Sequence, residues 1–127
     1  MNFFFDANLS DKLAEAMCLL DRDGHVEHIK QKFPQDVKDE VLLEYVGREG
    51  LIFVTRDQKI RKRPAELSAF RQYNVGAFIL TGKKLGKWQE IKQLICAWEE
   101  MKNHAAKTRK PFAFQVPPRG KIKQLGL

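Results

Sequence analysis

Two short apolar runs, each closed by an aspartate, constrain most strongly what this chain can fold into. Leu51-Ile52-Phe53-Val54 leads into Thr55-Arg56-Asp57, and Asn2-Phe3-Phe4-Phe5 leads into Asp6. Unbroken β-branched and aromatic runs of this length read as strands buried on both faces, as in a parallel sheet. An open parallel sheet collects its ligands just beyond the carboxyl ends of its strands. Both aspartates are therefore delivered to the edge where chemistry is expected.

The chain has 127 residues, the size of one domain with a real core, and it reads as a single unit over 1–127. A core to about residue 101 and a basic extension over about 102–127 are expected within it. Hydrophobic residues make up 43% and charged residues 31%, a balance that fits an ordered globular protein and not a disordered one. No apolar run approaches the ~20 residues of a membrane span. Met1 leads straight into a strand without the basic region of a signal peptide, so a cytoplasmic protein is expected. Cys18 and Cys96 lack metal-type spacing and lie beside helical apolar stripes, which predicts reduced core thiols. The net charge of +7 resides entirely in the last quarter: Met101 to Leu127 holds seven Lys or Arg and no acid. Such a patch suits nucleic acid or an acidic partner, or else a solvated tail.

Taken in order, Ser10 is placed to cap a helix carrying Leu13, Ala16, Met17 and Leu20 at helical spacing, and Gly24 ends it. His25 to Ile29 reads as a more polar edge strand. Phe33-Pro34-Gln35 breaks the chain before a helix over about Asp36 to Arg48. After the central strand and the basic loop Lys59-Ile60-Arg61-Lys62-Arg63, Pro64 opens a helix to about Tyr73. Val75 to Leu80 is a further buried strand. Lys87 to Met101 is a helix with Trp88, Ile91, Leu94, Ile95, Trp98 and Met101 on one stripe, suited to the core or to a homodimer interface. Phe112 to Val116, the turn Pro117-Pro118-Arg119-Gly120 and Lys121 to Leu125 read as a terminal β-hairpin with a basic face. The alternation of strand and helix predicts a three-layer α/β/α sandwich around a mainly parallel sheet.

The helix before the central strand supplies candidate partners for the two aspartates. At about 100° per residue, Leu42, Leu43 and Val46 all fall within about 60° of Asp39, so Asp39 shares the face turned to the sheet. Glu40 and Glu44 point away. A carboxylate on a buried face is costly unless it is paired or coordinated. Three converging acids repel one another, and a hard divalent ion such as Mg²⁺ or Mn²⁺ relieves that repulsion. Ordinary roles also exist: Asp6 as a helix cap, Asp57 paired with Arg56 or Arg61, and Asp39 as a first-turn acid. The basic loop suits the phosphates flanking such a site, and equally suits solvent. His25, His28 and His104 have no matched spacing and read as structural or surface residues.

At these residues the chain resembles the PIN-domain ribonucleases, and within them the small PIN-like toxins of the VapC type. Phe4-Phe5-Asp6-Ala7-Asn8-Leu9-Ser10 is similar to the family's opening strand, acid and turn. Asp39, Val54-Thr55-Arg56-Asp57, Pro64-Ala65-Glu66-Leu67 and Pro111-Phe112-Ala113-Phe114 follow in the family's order. The likeness implies a metal-dependent endoribonuclease using Mg²⁺ or Mn²⁺ and blocked by an antitoxin protein. It implies Asp6, Asp39 and Asp57 as catalytic metal ligands, supported by Asn8 and Thr55. Arg56, Lys59, Arg61, Lys62 and Arg63 are the RNA-binding candidates. One departure is plain: many PIN domains carry a fourth acid soon after the third, whereas here the next acid is Glu66, so either the site uses three acids or Glu66 folds back into it. A catalytically silent RNA- or partner-binding module on the same scaffold is one alternative. A receiver-like phosphoacceptor, using Asp57 and Thr81, is another, although such a domain needs no inward Asp39.

Overall fold

The computed structural model describes residues 1–127. Six strands and four helices follow in the order β1 (Asn2–Phe5), α1 (Asp11–Leu20), β2 (His25–His28), α2 (Asp39–Arg48), β3 (Ile52–Thr55), α3 (Pro64–Gln72), β4 (Gly76–Leu80), α4 (Lys87–Lys107), β5 (Phe112–Val116) and β6 (Lys123–Leu125). They form one sheet in the order β2-β1-β3-β4-β5-β6. The first five strands are mutually parallel and β6 is antiparallel to β5. Because β2 lies on one side of β1 and β3 on the other, the strand order reverses at β1/β3. This is the topological switch point, where a crevice opens beyond the strand ends.

Side-chain alternation along the strands divides the core into two halves. Phe3, Phe5, Ile52 and Val54 face α1 and α4, where they meet Leu13, Met17, Leu94, Trp98 and Met101. Phe4 and Phe53 face α2 and α3, packing with Leu42, Leu43, Val46, Ala69 and Phe70. The result is the expected α/β/α sandwich. Every residue of β3 and β4 is buried, which is why these runs show no polar alternation in sequence.

Ser10 caps α1, accepting hydrogen bonds from the backbone N–H of Lys12 and Leu13. At the other end of α1, Asp21 Oδ2 accepts from Trp98 Nε1 at 2.7 Å and Lys102 Nζ at 2.8 Å, tying α1 to α4. These two donors, Lys102 first, hold the Asp21 carboxyl down from 3.8 to about 2. A lowered folded-state pKa contributes stability above the unfolded value and loses it as pH falls through the folded one. Asp21→Asn is therefore expected to cost about 1–2 kcal/mol at pH 7 through weakened charge-assisted bonds. Urea melts should show that gap closing between pH 4 and pH 2; a gap independent of pH would mean the ion pair contributes nothing.

The structure corrects several sequence expectations. Helix α2 begins at Asp39 and not at Asp36, because Pro34 to Val37 form a turn closed by the Pro34 carbonyl and the Val37 N–H. Helix α4 runs on to Lys107, where Ala105 packs on the core and the His104 ring lies 4.7 Å from that of Phe114. Its stripe is not wholly internal: Trp88 and Ile95 are exposed, while Leu94, Trp98 and Met101 are buried. Cys96 is exposed rather than a core residue. Phe112–Val116 does pair with β6, but it also pairs in parallel with β4, so it is an interior strand and no appendage. The aromatic contacts of Phe78, Phe112 and Phe114 account for its place there.

Candidate active site

Asp6 and Asp57 emerge side by side at the carboxyl ends of β1 and β3. The Asp6 N–H continues the ladder by donating to the Val54 carbonyl at 3.0 Å, so strand alternation still governs its direction. Phe4 and Asp6 then share one face, and Phe53, Thr55 and Asp57 share the same face. That is the face covered by α2, whose first residue is Asp39. The period of two thus sends both strand-end acids toward the one helix that begins with a third.

Thr55 and Asn8 fix the acids. The wholly buried Thr55 hydroxyl donates to Asp6 Oδ2 at 2.7 Å and accepts from the Asp57 N–H at 3.1 Å. Asn8 Nδ2 donates to Asp6 Oδ2 and to Thr55 Oγ1, while Asn8 Oδ1 accepts from the Arg56 N–H at 2.9 Å. One side chain from each loop therefore clasps the other loop. Asp6 does bond the neighbouring Ala7 N–H through Oδ1, but Ser10, not Asp6, caps the helix.

Glu66, in the first turn of α3, completes the acidic group. Arg63 stands among these acids: its Nη1 lies 3.0 Å from Asp57, 3.5 Å from Asp39 and 3.5 Å from Glu66. Its Nη2 adds a second bond to Asp57 at 3.4 Å. Burial first, then Glu66 and Asp6, push the Asp39 carboxyl from 3.8 up to about 6, with Arg63 pulling the other way. The group carries more negative charge than one guanidinium offsets.

Of the cations grouped as RNA-binding candidates, two take other places. Arg56 lies on the opposite strand face from Asp57, and its guanidinium is held under α4 by Gln93, with Nε 3.6 Å from Glu90. Gln93 in turn donates to the carbonyls of Thr81 and Val116. Arg56 thus clips β3 to α4 and is nearly enclosed, with only 13% of its side chain exposed. Arg63 turns inward because three carboxylates, Asp39, Asp57 and Glu66, surround it. Lys59 and Lys62 remain exposed, and Arg61 donates to the Gly126 carbonyl at 3.2 Å. Asp57 pairs with Arg63, in place of Arg56 or Arg61. The place of Glu66 was open to sequence reading through its spacing of three from Arg63 behind a helix-starting proline; the inward turn of Arg63 was not. The Thr81 hydroxyl reaches the Val116 carbonyl at 3.5 Å. His28 is buried, bonding the Leu9 carbonyl through Nε2 and accepting the Lys30 N–H at Nδ1, a structural role.

A family model described as PIN-like domain matches residues 1–82. The chain belongs to the PIN-like family. No curated protein and no solved structure matches it. PIN domains are generally nucleases and typically use Mg²⁺ or Mn²⁺, so a nuclease class follows for this PIN-like chain at a coarse level. The matched span contains Asp6, Asn8, Asp39, Thr55, Asp57, Arg63 and Glu66. Carboxylate oxygens are the donors such hard ions take. The donor chemistry fits, but the acids are spread around Arg63, and no three His, Cys, Asp or Glu side chains are placed to hold a metal ion. No helix is long and apolar enough to cross a membrane.

Proposed function

We propose that this PIN-like protein is a metal-dependent endoribonuclease and that it serves as the toxin of a toxin–antitoxin pair. The observation that carries the nuclease reading is the convergence of Asp6, Asp39, Asp57 and Glu66, from four separate elements, on the crevice at the switch point. Asp6, Asp39 and Asp57 would hold the ion, with Glu66 as the fourth acid. A bound Mg²⁺ or Mn²⁺ supplies an activated water and neutralises charge on the phosphoryl oxygens. Thr55 and Asn8 orient the Asp6 carboxylate, so little reorganisation is needed when substrate arrives.

The distribution of cations supports RNA as the substrate. A cleft of about 110 Å³ at the carboxyl ends of β3, β4 and β5 is lined by Gln58, Arg61, Lys62, Thr81 and Gln115, starting one residue past Asp57. Around that edge Lys59, Lys62, Lys83, Lys84, Lys121 and Lys123 are exposed. Acids gathered at β1/β3 beside cations along β4–β6 give a backbone-gripping surface next to a cutting centre. The toxin role, with an antitoxin protein covering the crevice, rests on the likeness of Asp6 to Ser10, Thr55 to Asp57 and Pro64 to Leu67 to VapC-type toxins.

Incubating the protein with single-stranded RNA and Mg²⁺ or Mn²⁺ tests the reading. Cleavage with either ion, none in chelator and none for Asp57→Asn is the expected result. RNA that is bound yet left intact with every ion would make the chain a binding module on the PIN scaffold.

A further inference from the structure

The position of Arg63 gives the acidic crevice a feature that a set of metal ligands does not require. All its side-chain hydrogen bonds go to Asp39, Asp57 and Glu66, and none to the backbone. It occupies the N-cap position of α3 but makes no capping bond there, so the helix does not need its side chain. Pro64 at the first helical position fixes the backbone beside it. The Arg63 side chain is 42% exposed, so one side opens to solvent and the arm can swing away without disturbing the core.

Resting on the nuclease reading above, we propose that Arg63 is the resident counter-ion of the crevice and that it is exchanged for the divalent ion. Its Nη1 is the atom on which three of the four acids converge, at 3.0–3.5 Å. Mg²⁺ takes oxygens at about 2.0–2.1 Å and repels a neighbouring cation. Drawing those oxygens onto one ion leaves no room for Nη1 among them. Conversely, with Arg63 in place no three of the carboxylates are placed to hold a metal ion. The two occupancies exclude one another, so the measured metal affinity is lowered by whatever it costs to detach Arg63.

Calorimetric titration of RNA-free protein with Mn²⁺ tests this in the wild type, Arg63→Gln and Asp57→Asn. Arg63→Gln should bind Mn²⁺ about tenfold or more tightly than wild type, because the competitor is gone. It should also melt lower than wild type without metal and gain more from added Mn²⁺. Equal or weaker affinity in Arg63→Gln, with binding still abolished by Asp57→Asn, overturns the exchange and leaves the metal site standing. No Mn²⁺ binding in either Arg63→Gln or wild type overturns both. Should Arg63→Gln fail to fold, ¹⁵N spectra of the wild-type arginine side chains serve instead, assigned with Arg63→Lys. The Arg63 signal should move toward that of a free guanidinium as Mg²⁺ saturates; an unmoved signal overturns the exchange.

Discussion

Asp6→Asn is expected to lower RNA cleavage by at least about a hundredfold while the protein melts within a few degrees of wild type. The asparagine keeps the shape of the side chain, and its amide oxygen can still accept the Thr55 hydroxyl and the Asn8 amide that now meet at Asp6 Oδ2, giving up only the exposed bond from the Ala7 N–H to Oδ1. What it removes is one negative charge from a group in which burial first, and then Glu66 and Asp6, already raise the Asp39 carboxyl. Folding therefore gains or loses little, and cation binding loses a ligand. Thr55→Val reverses the balance. It preserves all four acids but deletes the buried hydroxyl shared by Asp6 and the Asp57 N–H, at a cost of about 1–3 kcal/mol. Cleavage should fall by about tenfold, as Asp6 gains freedom to turn. Cleavage rates and thermal melts on the two variants decide the matter. Full activity in Asp6→Asn would remove Asp6 from the chemistry, and an unchanged melt in Thr55→Val would deny the clasp its role.

Gly47→Ala should be the more damaging change to the fold, although alanine is the better helix former by about 1 kcal/mol. A Cβ at Gly47 would lie 2.2 Å from the Tyr73 carbonyl oxygen and 2.7 Å from Tyr73 Cβ. The obstacle is mainly backbone at the end of α3, so relief requires α2 and α3 to move apart. Overpacking of this kind costs about 1–3 kcal/mol, which should lower the melting temperature by about 5–10 °C. Separation of these helices also separates Asp39 on α2 from Glu66 on α3, so metal-dependent activity should fall with it. A melt at or above the wild-type temperature would show that the helices part without cost.

Much of this arrangement was legible in the sequence because it depends on period. The unbroken apolarity of β3 and β4 gave a parallel sheet, and the helical angles of Leu42, Leu43 and Val46 turned Asp39 toward it. What could not be read were effects decided by neighbours far along the chain. Phe112–Val116 resembles any hairpin strand until its contacts with Phe78 place it beside β4. Trp88 matches the helical stripe, yet it lies beyond the part of α4 that the sheet covers. Arg63 belongs by sequence to a basic loop, and only the gathering of Asp39, Asp57 and Glu66 turns it inward.

The opposite directions of Arg56 and Asp57 carry a consequence for how such a chain can vary. One residue inserted or lost within β3, without compensation, would exchange their destinations. A cation would then enter the crevice, and a carboxylate would be pressed against Gln93 and Glu90 beneath α4. A change of two residues would preserve the facing of each. Spacing here is therefore constrained in its own right: many letters in this segment can be exchanged, but its length should change only by even steps.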